Sequence, residues 1–176
     1  MRYLTVQTAW GWLAVAFGPR GLAALVLPQP NEEEAVFALR QKLGGAVLSP
    51  DPSGYASLSE RLKAYFAGER VGFATEEIDW TGMTPFQREV LMVVRQIPYG
   101  EVRSYKWVAQ CINRSRACQA VGQALKANPL PVIIPCHRVV GQAGDLGGFS
   151  EGQVLKERLL ALENISLETA FGKAAI

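Results

Sequence analysis

The sequence is poor in residues that bind metals or form disulfides. It has one histidine, His137, and three cysteines, Cys111, Cys118 and Cys136. The cysteines form no CxxC pair and their number is odd, so they indicate neither a typical zinc site nor a secreted disulfide framework. Free thiols of this kind suit a reducing compartment, and we expect a cytoplasmic protein.

Charge is also scarce. Eighteen Lys and Arg residues against sixteen Asp and Glu residues give a net charge of +2, too weak by itself to indicate nucleic-acid binding. An apolar share of 49% excludes a disordered chain.

No apolar run is long enough to span a membrane. Arg2 before apolar residues is compatible with a signal peptide, but Gln7 and Thr8 interrupt the run, which favours a hairpin.

The first half of the chain predicts a small antiparallel sheet with two helices. Asn31, followed by three glutamates, marks the start of a helix that runs to about Leu43. A second helix begins at Ser57 or Ser59, after a loop over 49–54, and 73–80 is a linker segment with a short extended piece. Glycine-bounded apolar runs predict a three-stranded meander, with strands at Tyr3–Thr8, Trp12–Phe17 and Leu22–Leu27.

The second half predicts helices. Thr84-Pro85-Phe86-Gln87 forms a capping box, Ser104 caps a short helix to about Cys111, and Ser115 caps another to about Ala127. The last two helices make a candidate helix-turn-helix. A glycine in mid-helix costs about 1 kcal/mol relative to alanine. Gly122 therefore indicates close approach of another backbone, either a packed helix or a nucleic-acid strand.

The segment around Cys136 and His137 offers thiol chemistry. We expect a buried, strand-like lead-in over Val132–Ile134 and a tight turn at Cys136, because Pro135 donates no ladder hydrogen bond. A thiolate is favoured by a nearby base or cation, which His137 and Arg138 supply. The alternative is a structural cysteine beside a hydrogen-bonded histidine.

A final helix should follow the glycine-rich loop. Ser150 and Gln153 are spaced as a capping box, and Glu163 ends the helix. A carboxylate at a helix C-terminus opposes the helix dipole, so Glu163 either has another partner or is simply exposed. The predicted buried face consists of Val154, Leu155, Leu159 and Leu162.

The segment from Pro135 to Val139 resembles the active-site signature of the O6-alkylguanine-DNA alkyltransferases, also called methylated-DNA–protein-cysteine methyltransferases. The similarity extends over 84–163, through Tyr99-Gly100-Glu101-Val102, Ser104-Tyr105, Ala120-Val121-Gly122, Asn128-Pro129 and Gly147-Gly148-Phe149-Ser150. Several motifs in the right order are more specific than one pentapeptide. The first half of the chain agrees with the family only in its length and in its predicted plan of a meander with helices.

The resemblance implies an α+β fold. The first part, 1–77, would be a small antiparallel sheet with helices on a ribonuclease H-like plan. The second, 78–165, would be a mostly helical DNA-binding and alkyl-transfer domain with the helix-turn-helix and the cysteine turn, and 166–176 a tail. Some relatives carry zinc in the first half, where this chain has neither cysteine nor histidine, so neither a metal nor a cofactor is expected.

The resemblance also implies a reaction. The family flips O6-alkylguanine (O4-alkylthymine is a further candidate) out of duplex DNA and transfers the alkyl group irreversibly to its own cysteine. By position, Cys136 is the acceptor, His137 its base through a water, and Glu163 the acid that holds the histidine. Tyr105 assists the departing oxygen, and Asn128 bridges the helix-turn-helix to the cysteine turn. The partner is double-stranded DNA, bound by a monomer.

Further positions follow from the same resemblance. Expected pocket residues are Val139, Phe149 and Ser150. Where the family usually has an arginine in the recognition helix, this chain has Gln119, which would weaken base extrusion; Phe149 replaces a tyrosine, and Glu151 a common glycine. Expected DNA contacts are Ser104, Arg116, Gln119, Ala120, Gly122, Lys126 and Arg138.

Three other functions are compatible with parts of this pattern. A protein of the same fold that binds alkylated bases without repairing them usually has tryptophan in place of the acceptor cysteine, whereas this chain has Cys136. A helix-turn-helix transcription regulator would leave the matches at Tyr105, Asn128 and Glu163 unexplained. A cysteine hydrolase usually has its base far from the nucleophile in sequence.

Overall fold

The computed structural model describes residues 1–52, 55–142, 144–149 and 151–166. The chain separates into two compact units. The first contains Met1–Thr81 together with Pro129–Pro131, and the second contains Gly82–Asn128 and the described residues from Val132 onward. No helix in the described ranges has the length and apolar character needed to cross a membrane.

The first unit is built on a four-stranded sheet. Strands β1 (Arg2–Thr8), β2 (Gly11–Gly18) and β3 (Gly21–Gln29) form the predicted antiparallel meander. A two-residue strand, β4 (Ser49–Pro50), pairs in parallel with β1 and completes the order β3-β2-β1-β4. The prediction of a loop was wrong at Ser49–Pro50, because so short a strand leaves no periodic pattern.

Two helices cover this sheet. Helix α1 (Glu32–Lys42) begins as predicted, with the Asn31 side chain accepting a hydrogen bond from the Glu34 amide at 2.8 Å. Helix α2 (Ala56–Phe66) begins at Ala56 after Tyr55 in the left-handed region, so the serine starts predicted for it were wrong. The core beneath α1 comprises Ala14, Ala16, Ala24, Val26, Ala35, Leu39 and Leu48.

The second unit is mostly helical. Helix α3 (Pro85–Val94) has the predicted capping box between Thr84 and Gln87. Two short strands, β5 (Arg103–Ser104) and β6 (Val139–Val140), pair in parallel. The remaining elements are α4 (Tyr105–Cys111), α5 (Cys118–Lys126), a 3₁₀ turn (Cys136–Arg138) and α6 (Gln153–Leu162).

Three local predictions in this unit were wrong. Helix α5 begins after Ala117 with no side-chain cap, so Ser115 does not cap it. Val132–Ile134 is buried as expected, but Val132, at φ +74°, and Ile133 form a turn, and of the three only Ile134 lies in a β-bridge. Helix α6 begins after Gly152, and the Gln153 side chain donates to the Gly147 carbonyl at 3.2 Å instead of closing a capping box. Ser150 lies outside the described residues.

The buried face of α6 also differs from its prediction. Val154 is 72% exposed, whereas Lys156 is fully buried next to Leu159 and Leu160 in the helix. Residues 156, 159, 160 and 163 still lie on one helical face. The prediction of a helix with one buried face was therefore correct, but the residues assigned to that face were wrong.

Candidate active site

The cysteine lies in a short 3₁₀ turn and is held from the end of α5. Cys136 is 3% exposed, and Nδ2 of Asn128 lies 3.1 Å from its Sγ as a hydrogen-bond donor. The same Nδ2 donates to the Ile134 carbonyl at 2.9 Å. Asn128, two residues after α5, thereby fixes the thiol relative to the helix-turn-helix. A hydrogen bond donated to sulfur also favours its thiolate form.

His137, the residue after the cysteine, belongs to a buried charge network centred on Glu163. Nε2 of His137 lies 2.7 Å from Oε1 of Glu163, and the backbone amide of Gly100 donates to Oε2 at 3.1 Å. Arg138 donates to both carboxylate oxygens, each at 2.9 Å, and to the Ile97 carbonyl at 2.6 Å. Both oxygens of a buried acid are therefore satisfied, as burial of a charge requires.

This network sets the charge states of its members. Burial raises the pKa of Glu163, but the hydrogen bonds from His137 and Arg138 and the positive charge of Arg138 outweigh it and bring that pKa to about 2. Burial lowers the pKa of His137, and Arg138 and Lys156 act in the same direction against Glu163. Burial is the largest of these effects on the pKa, so His137 is a neutral imidazole at neutral pH. A neutral imidazole can accept a proton from a thiol.

Tyr105 and Lys156 complete the surroundings of the thiol. The Tyr105 hydroxyl donates to the Gly148 carbonyl at 3.2 Å, and Nζ of Lys156 lies 5.8 Å from the centre of the Tyr105 ring. Burial raises the pKa of Tyr105, with further increases from the negative charges of Asp145 and Cys136. Burial lowers the pKa of Lys156 to about 8, while Cys136 and Asp145 oppose that change. Tyr105 is therefore a phenol at neutral pH and Lys156 is largely an ammonium.

Sequence patterns missed Lys156. It donates to the carbonyls of Val139 and Leu146, the former at 2.6 Å. A usable signal existed, because a lysine in register with Leu159, Leu160 and Glu163 lies on the inner face of its helix. A buried lysine needs such partners, and close to a cysteine it stabilises the thiolate.

A cavity of about 330 Å³ lies between the outer face of α5 and the loop after the cysteine turn. Tyr105 lines this cavity, and the negative charge of Cys136 contributes to the raised pKa of Tyr105. Cys136 itself is not among the lining residues. The other lining residues of the cavity are Cys118, Gln119, Gly122, Gln123, Lys126, Gly147 and Gly148.

The residues expected to contact DNA divide into two groups. Gln119, Gly122 and Lys126 line the cavity, and Arg116 and Ala120 are exposed. The other two have different local roles. Ser104 Oγ caps α4 by accepting from the Trp107 amide at 3.0 Å. The Arg138 side chain is 7% exposed and held by Glu163, so a direct DNA contact by Arg138 does not fit the structure.

The expected pocket residues were three. Val139 is fully buried and offers its carbonyl to Lys156, and Phe149 is half-buried in the loop beside the cavity. Ser150 lies outside the described residues.

Within the described ranges, no group of three or more His, Cys, Asp and Glu side chains is arranged to hold a metal ion.

Comparison with known proteins gives a consistent result. Residues 85–165 match the family model for the DNA-binding domain of 6-O-methylguanine DNA methyltransferase. The constitutive methylated-DNA–protein-cysteine methyltransferase of Bacillus subtilis is 36% identical over 168 residues, covering 93% of this chain and 96% of that protein. The corresponding Mycolicibacterium paratuberculosis protein is 45% identical over 113 residues, which is 64% of this chain and 67% of that protein.

Solved structures agree with the sequence matches. The Mycobacterium tuberculosis OGT protein in complex with DNA superposes with a TM-score of 0.76 at 36% identity, covering 93% of this chain and 92% of that chain. The O6-methylguanine-DNA methyltransferase of the hyperthermophilic archaeon Pyrococcus kodakaraensis gives a TM-score of 0.70 at 28% identity, covering 93% and 99%. The predicted α+β fold is thereby confirmed.

Proposed function

Because this chain belongs to the methylated-DNA–protein-cysteine methyltransferase family, we propose that it repairs O6-alkylguanine in double-stranded DNA by moving the alkyl group to Cys136. The observation that carries this assignment is the arrangement of Asn128, Cys136, His137 and Glu163. An amide orients the sulfur, and the next residue in the chain carries a neutral imidazole that is itself held by a buried carboxylate. O4-alkylthymine is a further candidate substrate.

The chemistry is a displacement at the alkyl carbon. An ordinary thiol has a pKa near 8.5, so only a few per cent is thiolate at neutral pH. His137, acting through a water, accepts the thiol proton, and Asn128 and Lys156 favour the resulting anion. The new bond joins sulfur to the alkyl carbon as the bond from that carbon to guanine O6 breaks. Tyr105 donates a hydrogen bond to the departing oxygen.

The product limits the protein to one turnover. A thioether has no good leaving group, and nothing in the reaction returns the thiol. Each chain therefore repairs one lesion, which agrees with a stoichiometric transferase.

DNA must bring the lesion to the cavity. An O6 atom inside a duplex is out of reach, so the base has to be extruded at a cost of about a few kcal/mol. Helix α5 carries two small residues, the exposed Ala120 and the half-buried Gly122 that lines the cavity, and small residues suit close approach to the minor groove. Gln119, Lys126 and Arg116 are the proposed polar and basic contacts.

We also propose a division into domains, a monomeric state and a cellular compartment. Residues 1–77 and 78–165 would act as two domains with 166–176 as a tail, and a single copy would engage DNA. The cytoplasm is the proposed compartment, because chromosomal DNA and a reduced acceptor thiol are both found there.

The alternative is a protein of the same family that binds alkylated DNA with little transfer. Gln119 is the observation that favours it, because glutamine brings no charge into the space that a flipped base leaves. Cys136 opposes it.

Intact mass spectrometry separates the two functions. The protein is incubated with duplex DNA containing O6-methylguanine, its mass is taken, and the modified peptide is mapped. Transfer predicts one added methyl group on Cys136. Cys118→Ser, which removes the thiol that lines the cavity, should still accept the methyl group, and Cys136→Ser should bind the DNA without any gain in mass. Binding with no mass change in the unaltered protein would favour the alternative.

A further inference from the structure

Helix α6 ends at Glu163, the acid of the buried network, and a Schellman motif closes its backbone there. Asn164, at φ +58°, reverses the chain, so that the Ile165 amide donates to the Leu160 carbonyl at 2.9 Å. A helix end leaves its last four carbonyls without intrahelical partners. The bonds of this motif do not include the carbonyl of Leu162, the residue immediately before Glu163.

The turn after α3 contacts this helix end at two points. The Tyr99 hydroxyl donates to the Leu162 carbonyl at 3.1 Å, and the Gly100 amide donates to Oε2 of Glu163, also at 3.1 Å. The first contact holds the backbone next to the acid, and the second holds its carboxylate. Two adjacent residues of one turn therefore fix both ends of the Glu163 side chain.

The same turn also contacts Arg138, the cation of the network. The Ile97 carbonyl accepts from Arg138 at 2.6 Å, and the centre of the Tyr99 ring lies 5.8 Å from the guanidinium carbon. A guanidinium within about 6 Å of a ring centre is attracted to the face of the ring. Tyr99 thus contacts the helix end that carries the acid and the cation that pairs with it.

We propose that Tyr99 is a positioning residue that fixes Glu163 and thereby the orientation and tautomer of His137, the base of the transfer reaction. This inference rests on the proposed function and names a further residue on which the same site depends. Tyr99 acts through the helix end and Arg138, while the proton transfer itself belongs to His137.

The tautomer of His137 is what this positioning controls. A carboxylate can only accept a hydrogen bond, so the neutral imidazole carries its proton on Nε2, 2.7 Å from Oε1 of Glu163. Nδ1 is then the nitrogen that can accept the proton of the Cys136 thiol through a water. If Glu163 moves, the tautomer with its proton on Nδ1 becomes more populated, and that form cannot act as the base at this nitrogen.

The first test observes the histidine directly. His137 is the only histidine of the chain, so nitrogen-15 labelling of histidine in protein without a histidine tag gives signals from this residue alone. Tyr99→Phe removes the hydroxyl and keeps the ring beside Arg138. At pH 7.5 the share of the Nδ1–H tautomer should rise about fivefold, and the Nε2 proton should exchange with water faster by a similar factor.

The second test follows transfer from free O6-benzylguanine, which does not require DNA binding. In Tyr99→Phe the maximal single-turnover rate should fall about fivefold, because less of the imidazole is in the competent tautomer. The concentration of O6-benzylguanine that gives half of this rate should not change. Transfer from duplex DNA should slow by the same factor.

A matched control and a stability measurement separate positioning from folding. Tyr3→Phe removes a hydroxyl from a half-buried tyrosine of β1 in the first unit, and it should leave the histidine signals and the transfer rate unchanged. Urea unfolding of both variants gives the folded fraction under the assay conditions. A Tyr99→Phe protein that loses stability but keeps the histidine signals and the transfer rate overturns the proposal. Slower transfer with unaltered histidine signals overturns it as well, because the hydroxyl would then act by another route.

The two proposals fail separately. If the unaltered protein gains no methyl group, the proposed function is wrong whatever the histidine signals show. If it gains one on Cys136 and the histidine signals do not respond to Tyr99→Phe, only the inference about Tyr99 is wrong.

Discussion

Nε2 of His137 lies 2.7 Å from Oε1 of Glu163, and both side chains are completely buried. The pair joins the single histidine of the chain to the residue that ends α6, 26 positions later. Arg138, the neighbour of the histidine, donates to both oxygens of the same carboxylate. The acid therefore orients the imidazole, while burial lowers the pKa of the imidazole and keeps it neutral.

The first prediction concerns stability as a function of pH. The pKa of Glu163 falls from an ordinary 4.5 to about 2, so its contribution is present above pH 4.5 and is lost as pH falls towards 2. That contribution is about 3 kcal/mol. Glu163→Gln should lower the free energy of unfolding at pH 7 by at least this amount, since Arg138 would keep a buried charge without its counter-ion.

Urea unfolding followed by tryptophan fluorescence measures this change. Exposed Glu157→Gln serves as the control and should change stability by less than about 0.5 kcal/mol. A Glu163→Gln protein as stable as the control would show that the buried network contributes nothing.

The second prediction concerns the acid limb of the reaction. Burial lowers the pKa of His137 below its ordinary 6.5, so the base stays neutral through the neutral range. Transfer from free O6-benzylguanine, which avoids any pH effect on DNA binding, should decline only below pH 6.5. Stability should change in the same direction, because a lowered folded pKa makes the unfolded chain bind more protons as pH falls through 6.5. A decline centred above pH 6.5 contradicts the neutral-base assignment.

The third prediction compares two adjacent glycines in the loop. Gly147 has φ +60°, and a Cβ there would lie 2.5 Å from the Tyr105 hydroxyl. Gly147→Ala should cost about 1–2 kcal/mol of stability and slow transfer at least about tenfold by displacing the phenol. At Gly148 the Cβ would meet the movable end of Lys126 at 2.9 Å, so Gly148→Ala should remain close to the unaltered protein. Equal transfer rates for the two variants would remove the role given to the position of Tyr105.

The fourth prediction concerns the recognition helix. Gln119→Arg should speed transfer from duplex DNA more than transfer from free O6-benzylguanine, because a longer charged side chain helps to hold the base outside the duplex. Gln123→Arg adds the same charge to the exposed α5 residue one turn further on, beside the same cavity, and should give a smaller effect. If both substitutions accelerate transfer from duplex DNA equally and leave transfer from free O6-benzylguanine unchanged, general attraction to the phosphates is the whole explanation.

Sequence patterns were most informative where the determinants are local. The Thr84–Gln87 capping box, the glycine-bounded strands and the Ser104 cap all lie within a few residues of the structure that they specify. A prediction of a helix start was wrong where a serine that could have capped the helix does not do so in the structure. Ser115 lies in a turn after Asn113, which has φ +57°, and α5 begins only at Cys118.

By itself the sequence determined which chemistry was available: a cysteine next to the single histidine, a helix-turn-helix before it and a carboxylate at the end of the last helix. Only the tertiary structure decided which charges share that space. It buried Arg138 against Glu163 and turned Lys156 inwards, beside the ring of Tyr105. The reason is physical: caps and periodicity act within one or two turns of chain, whereas the pKa of a buried group depends on charges that only folding brings within a few ångströms.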